Sequence, residues 1–208
     1  MSMTTSPKIV TLLASPRLDG VTAQLLKAAE NRLYKEGIEV TRIHVSTLNF
    51  KACCACMKCR TDGICSLPFD DAYKVGQHIR ECDGLIVASP TYLGDLPGET
   101  KMLLDRLVSD LMDSSRIDEI KPRPLHKGKP IGVIVTSSAM WPFNILSRIT
   151  DTAGTLRRIF SPAGFKFVAT THFGNTKQNF TLTKARIAKA EKMSLKVASK
   201  AQKYFAQR

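Results

Sequence analysis

At 208 residues, 43% hydrophobic and 24% charged, the chain lies in the ordinary globular range and is long enough to bury one substantial core. Met1 to Lys8 carry no apolar h-region, and no later segment approaches the roughly 20 apolar residues that span a bilayer; this argues against export and membrane insertion and leads us to expect a cytoplasmic protein. The net charge of +13 invites a nucleic-acid reading, but much of the excess sits in the final segment, and no nucleic acid is expected as a partner.

In chain order, strand-like runs alternate with helical patterns. Ile9 to Ala14 is followed by the helical pattern Val21 to Glu36, and Val40 to Val45 comes next. Asp71 to Glu81 then precedes the strand Leu85 to Ala88, and Pro97 to Leu111 reads as one helix. Strands at Ile131 to Val135 and Phe165 to Thr170 lead to a last helix, Thr183 to Phe205. This is the alternation of a doubly wound α/β fold, one domain over 1–208 with helices on both faces of a five-stranded parallel sheet. The usual order is 2-1-3-4-5, with a crevice at the carboxyl ends of strands one and three. The second strand is broken by Thr41, Arg42 and His44, as an edge strand would be.

The first loop of that crevice runs Ser15-Pro16-Arg17-Leu18-Asp19-Gly20-Val21-Thr22. A strand, a hydroxyl-bearing turn with an arginine and a helix start make an anion site, since free N–H groups and the helix dipole both favour negative charge. The same residues also read as a plain helix cap, with Asp19 or Thr22 closing the helix and Arg17 in solvent. The loop has neither G-x-G-x-x-G nor G-x-x-x-x-G-K-[ST], so a mononucleotide phosphate fits better than a dinucleotide or triphosphate.

Two connections exceed the common length. The first, Leu48 to Pro68, holds five of the six cysteines, with Cys53, Cys56, Cys59 and Cys65 at C-x2-C-x2-C-x5-C spacing. Short x2 steps let a loop wrap an iron-sulfur cluster. Structural zinc and metal-free reduced thiols are the other readings, while a disulfide framework belongs to smaller secreted chains. Cys54 and Cys82 are expected to be free, and the four histidines have no metal-site spacing. The second long connection, Asp113 to Pro130, is basic and proline-containing, and reads equally as a lid, an oligomer contact or a mobile loop. In the final helix Lys184, Arg186, Lys189, Lys192, Lys196, Lys200, Lys203 and Arg208 face a lone Glu191, which reads as an amphipathic packing helix with a solvated basic face.

Three segments together resemble the NADPH-dependent FMN reductase branch of the flavodoxin-like superfamily, and within it the iron-sulfur flavoproteins. They are Ser15-Pro16-Arg17 with Gly20 and Thr22; the four cysteines followed by Asp70-Asp71; and Asp83-Gly84 through Ser89-Pro90-Thr91-Tyr92 to Lys101 and Asp105-Arg106. The resemblance implies that Ser15, Arg17 and Thr22 hold an FMN phosphate, with Val21 and Ala23 beside them. Pro90, Thr91, Tyr92, Leu93 and Gly94 would run along the isoalloxazine, backbone N–H groups meeting its polar edge, with Ser137 in the third loop near Trp141. Where the family has asparagine this chain has Val21, so one side-chain donor is missing. Cys53, Cys56, Cys59 and Cys65 would ligate a [4Fe-4S] cluster. NAD(P)H, a small-molecule or redox-protein acceptor and a homodimer or larger assembly complete the implied picture, with no side chain needed as catalytic acid or base.

Overall fold

The computed structural model describes residues 6–113, 123–140, 142–143, 150–176 and 180–207. Its elements in chain order are β1 (Lys8–Leu13), α1 (Val21–Lys35), β2 (Glu39–His44), α2 (Cys59–Asp62), α3 (Asp71–Glu81), β3 (Gly84–Pro90), α4 (Gly98–Arg106), α5 (Val108–Leu111), β4 (Met112–Asp113), β5 (Arg123–Pro124), β6 (Pro130–Thr136), α6 (Thr152–Phe160), β7 (Lys166–Phe173) and α7 (Lys184–Ala206). Five of the strands form a parallel sheet in the order β2-β1-β3-β6-β7, with β2 at the edge, which is the flavodoxin-like order expected from the sequence.

Side chains of a strand alternate between faces, and the central strands are apolar on both. Val10, Leu12, Leu85, Val87, Ile131, Val133 and Val135 pack with Val75 and Ile79 of α3, Leu103 and Leu104 of α4, and Leu156 and Phe160 of α6. On the other face Ile9, Leu13, Ile86, Ala88 and Ile134 pack with Leu25, Leu26 and Ala29 of α1 and Met193, Val197 and Ala201 of α7. Gly132 lets α7 lie that close: a Cβ there would sit 2.5 Å from Met193 Sδ and 2.6 Å from Val197 Cγ2.

Three departures from the sequence reading concern the second half. α6 was not foreseen. The expected helix Pro97 to Leu111 is two helices, broken at Leu107, whose N–H is shared between the Leu103 and Leu104 carbonyls at 3.1 and 3.2 Å. The Asp113 to Pro130 connection is tied at its base by the β4–β5 pair and ends in a tight turn; residues 114–122 of it lie outside the described residues.

In that turn His126 is 1% exposed, its Nε2 lies 2.8 Å from the Asp110 carbonyl oxygen, and its ring stacks on Phe165 at 4.6 Å. Burial first, and then the Lys129 charge, lower its pKa from 6.5 to about 4. Between those values the unfolded chain binds a proton that the folded chain does not. Stability is therefore full above pH 6.5 and is lost as pH falls through the window, by about 2 kcal/mol from pH 7 to pH 5. Urea unfolding at both pH values measures it. Burial raises the Glu30 and Asp110 carboxyls, which act in the opposite sense, so His126→Phe, expected to flatten the acid-side loss, isolates the histidine.

Candidate functional site

Strand order reverses between β1 and β3, and a cleft of about 300 Å³ opens at their carboxyl ends, lined by residues that include Ser15, Arg17, Thr22, Thr91, Tyr92 and Ser137. Gly20 stands in the cap position just before α1, and no side chain caps the helix; its first turn has no acidic residue. Asp19 instead is exposed, its carbonyl accepting from Gln24 Nε2 at 2.8 Å, so the plain-cap reading of this loop does not hold. The N–H groups at the start of α1 are thus left to a ligand or water. The Arg17 N–H donates to Ser15 Oγ at 3.2 Å and the Gly20 N–H to the Arg17 carbonyl at 3.4 Å, closing a tight turn that leaves the Arg17 side chain exposed. Thr22, buried, shares a hydroxyl hydrogen bond of 2.7 Å with Thr136 at the end of β6.

The second wall follows β3. The Thr91 N–H is taken by the Thr136 carbonyl at 2.8 Å, and Tyr92 and Asp95 exchange N–H···O bonds of 2.8 and 3.0 Å across a two-residue turn. Leu93 and Gly94 there have φ of 48° and 87°, the left-handed pair that such a turn requires, and Leu93 bears a cost on the order of 1 kcal/mol for it. The start of α6 holds this turn: the Asp151 N–H donates to the Gly94 carbonyl at 2.6 Å, Thr155 Oγ1 to Asp95 Oδ2 at 2.8 Å, and the Thr91 and Thr152 hydroxyls pair at 2.9 Å. The helix that sequence reasoning missed is therefore what fixes the site's second loop. The third wall also contains an unforeseen residue, Thr176, whose Oγ1 donates to the Ser137 carbonyl at 2.8 Å. His172, expected just beyond a last strand ending at Thr170, lies within β7 opposite Val135.

Of the residues nominated from sequence, Ser15, Arg17, Val21, Thr22, Pro90, Thr91, Tyr92 and Ser137 line the cleft. Ala23 is buried behind it in the α1 core, and Leu93 stands at the turn tip, fully exposed, with Gly94 beside it. Because the Thr91 and Tyr92 N–H groups are spent within the protein, the expected run of N–H donors narrows to Leu93 and Gly94. Trp141 lies outside the described residues.

The cysteine loop forms a separate cavity of about 360 Å³, lined by Cys53, Cys54, Cys56, Cys59 and Cys65 together with Asp105, Arg106 and Val108. All six cysteines are free thiols, and Cys82 is buried in the core. Ala55 and Met57, at φ of 54° and 63°, fold the loop back between successive cysteines. Cys56 Sγ lies 3.1 Å from Ser66 Oγ, and this contact, then the Lys58 N–H, holds its thiol below the ordinary value. Burial raises Cys59, as do the neighbouring Cys65, Cys53 and Cys56. The four thiols feel one another, so ionising all of them demands a compensating positive centre. Among the described residues no three His, Cys, Asp or Glu side chains converge as ligands of a single metal ion. A four-iron cluster asks for something else, one thiolate at each of four separate irons, and the donor set suits it.

The ends of the loop are fastened together by side chains at the start of α3 and the end of α4. Asp70 caps α3 through the Ala72 N–H at 3.0 Å and accepts from the Lys51 N–H at 3.1 Å. Arg106, its side chain 1% exposed, makes two hydrogen bonds of 3.2 Å to Asp70 and one of 2.9 Å to the Lys51 carbonyl. Tyr73 donates from its hydroxyl to the Cys65 and Leu67 carbonyls, and Asp71 bonds to the Asn49 N–H at 2.8 Å.

A family profile described as NADPH-dependent FMN reductase matches residues 7–170, from β1 into β7. The chain belongs to that family. Proteins named iron-sulfur flavoprotein are similar to it: one from Methanocaldococcus jannaschii at 34% identity over 48% of this chain and 51% of its own, and one from Archaeoglobus fulgidus at 29% over 76% and 64%. The aligned part of this chain thus spans roughly half to two-thirds of these relatives. In fold it is similar to an NAD(P)H:quinone oxidoreductase from Methanothermobacter marburgensis, with a TM-score of 0.68 and 16% identity over 91% of this chain and 94% of the other. An azoreductase from Bacillus anthracis gives 0.65 and 13% over 95% and 98%. No helix among the described residues is long and apolar enough to cross a membrane.

Proposed function

We propose that the chain is a flavoprotein oxidoreductase that holds FMN in the β1–β3 cleft and uses NAD(P)H to reduce a small acceptor such as a flavin or a quinone. The observation that carries this reading is the uncapped start of α1, facing a cleft lined by hydroxyls and Arg17 and, among the described residues, by no carboxylate or histidine. Ser15, Arg17 and Thr22 bind the phosphate, with Thr136 orienting the Thr22 hydroxyl. Pro90, Thr91 and Tyr92 lie along the ring, and the α6 clamp keeps their turn from moving. Bound there, FMN supplies hydride acceptance and one-electron release. The protein's own part is to bind, to orient and to shield from water.

The cysteine cavity favours a second reading, an electron carrier in which Cys53, Cys56, Cys59 and Cys65 hold a [4Fe-4S] cluster that exchanges electrons with a ferredoxin-like protein. The cavity and the cleft share no lining residue, so this reading places the cysteine loop of one subunit against the cleft of another in a homodimer or larger assembly. Anaerobic purification followed by absorption spectroscopy, flavin and iron analysis separates the two. Bound FMN with NAD(P)H-driven quinone reduction and no iron supports the first; FMN with about four irons per chain supports the second. A protein that neither contains nor takes up flavin overturns both.

A further inference from the structure

A third cavity, of about 600 Å³, lies at the other end of the sheet from the flavin cleft, where β6 and β7 begin and α7 ends. Lys127, Lys166, Lys200 and Lys203 line it, and among the described residues no Asp or Glu side chain does. Among the described residues none of these lysines is in an ion pair. They come from three separately fixed elements. Lys127 and Gly128 occupy the corner of a turn closed by the Lys129 N–H on the His126 carbonyl at 3.1 Å, with Gly128 at φ 82°. That turn is stapled to the next one by the His126 N–H on the Ala163 carbonyl at 3.0 Å and the Gly128 N–H on the Gly164 carbonyl at 2.9 Å. Gly164, at φ 96°, admits the contact, since a Cβ there would lie 2.8 Å from the Lys127 nitrogen. Lys129 from the same turn goes inward, buried, and holds the Ile79 and Arg80 carbonyls at 2.8 and 3.0 Å. Lys166 opens β7, its N–H on the Lys129 carbonyl at 2.8 Å. Lys200 and Lys203 sit one turn apart on α7, which the Gly132 notch seats against the sheet.

Solvation of a basic helix face accounts for lysines strung along α7 and says nothing of Lys127 and Lys166. Four like charges held around one concavity repel one another, and a multivalent anion relieves that repulsion at every one of them. The volume falls within the range of small-ligand sites. Pro130, Val168 and Tyr204 supply an apolar side to the same cavity.

We propose that this cavity binds a small polyphosphate anion, either inorganic or the triphosphate of a nucleotide, at a site separate from the flavin cleft. Calorimetric titration of the flavin-loaded protein with tripolyphosphate and with ATP, at low and high salt, tests it. Lys127→Gln, Lys166→Gln, Lys200→Gln and Lys203→Gln combined should raise the tripolyphosphate Kd by about tenfold or more, and the wild-type affinity should fall with salt. Lys27→Gln, Lys184→Gln, Lys192→Gln and Lys196→Gln combined remove the same charge from α1 and α7 outside the cavity and should leave the Kd within about twofold. Tighter binding of ATP than of tripolyphosphate assigns a nucleotide, with its base on the apolar side; equal binding assigns an inorganic polyphosphate. The cavity variant should retain its flavin and melt no lower than wild type, because it loses only repulsion; should it misfold, the pairs Lys127→Gln/Lys166→Gln and Lys200→Gln/Lys203→Gln should each give a partial loss. No binding at low salt, or equal loss in the cavity and control variants, as a diffuse field that also binds duplex DNA would give, overturns the proposal.

Discussion

Replacing Arg106 with methionine is expected to cost roughly 3–5 kcal/mol, the range for breaking a buried ion pair from one side. Asp70 is left with its charge in a site where the guanidinium had met both of its oxygens at 3.2 Å, and the Lys51 carbonyl loses its donor at 2.9 Å. Urea denaturation of the wild type and the variant measures the loss. The effect is not confined to global stability, because Lys51 and Asp70 flank the cysteine-bearing stretch on its two sides. Proteolysis in the 52–69 stretch should accelerate in Arg106→Met before the rest of the chain opens. Asp70→Asn with Arg106→Met, which removes both charges, should recover part of the lost stability. No recovery in the double variant would show that the two side chains act independently of their pairing.

Arg17→Ala combined with Thr22→Val is expected to weaken FMN binding by about 100-fold, or about 2.7 kcal/mol, by removing a charge-assisted donor and a hydroxyl from the phosphate. Fluorescence titration of flavin into the apoprotein measures it, with riboflavin as the control: the variant should discriminate between FMN and riboflavin far less than the wild type does. Thr22→Val alone also strands the Thr136 hydroxyl, which is 2.7 Å away, so a stability measurement belongs beside the titration. Unchanged FMN affinity in the double variant would contradict the assignment of the phosphate to this loop.

How much of this was legible in the sequence differs between the two halves of the chain for physical reasons. Ile9 to Ala14 and Leu85 to Ala88 are nearly all apolar runs bounded by turn residues, and strands buried on both faces have little other way to be written. The polar interruptions at Thr41, Arg42 and His44 marked the edge strand correctly, Arg42 reaching the Ala23 carbonyl at 3.3 Å. α6 hid because its residues carry weak helix signals: Thr152, Gly154 and Thr155 fill its first turn and no side chain caps it. It forms because Leu156 and Phe160 are drawn into the core and because Asp95 and Gly94 take its first polar groups. The break at Leu107 was equally silent, since neither proline nor glycine marks it.

In the site, the nominated Ser15, Thr22 and Tyr92 lie on loops that directly follow recognisable strands, and strand order alone brings those loops together. Thr136 opens the third of these loops, but its partnership with Thr22 could not be seen that way, nor could Thr176. Thr136 is 114 residues from the Thr22 it orients, and Thr176 acts through the backbone of Ser137. The Asp70–Arg106 pair, 36 residues apart, likewise has no period or local spacing that would join the two. The family resemblance picked out both residues and left their purpose to the geometry.

The notch at Gly132 has a consequence for how the chain comes to exist at all. α7 emerges from the ribosome after all five strands, yet Met193, Val197 and Ala201 are what close the face formed by Ile9, Ile86 and Ile134. Until that helix is made, the nascent sheet is half-clothed, with α1 alone on that side and the β3–β6 seam bare. The interval is one in which a chaperone or a second nascent chain can dock where α7 belongs. Filling the notch, as in Gly132→Val, would lengthen that exposure by making the last helix fit badly, and the damage should appear as poor yield and aggregation during synthesis before it appears as altered chemistry in whatever protein survives.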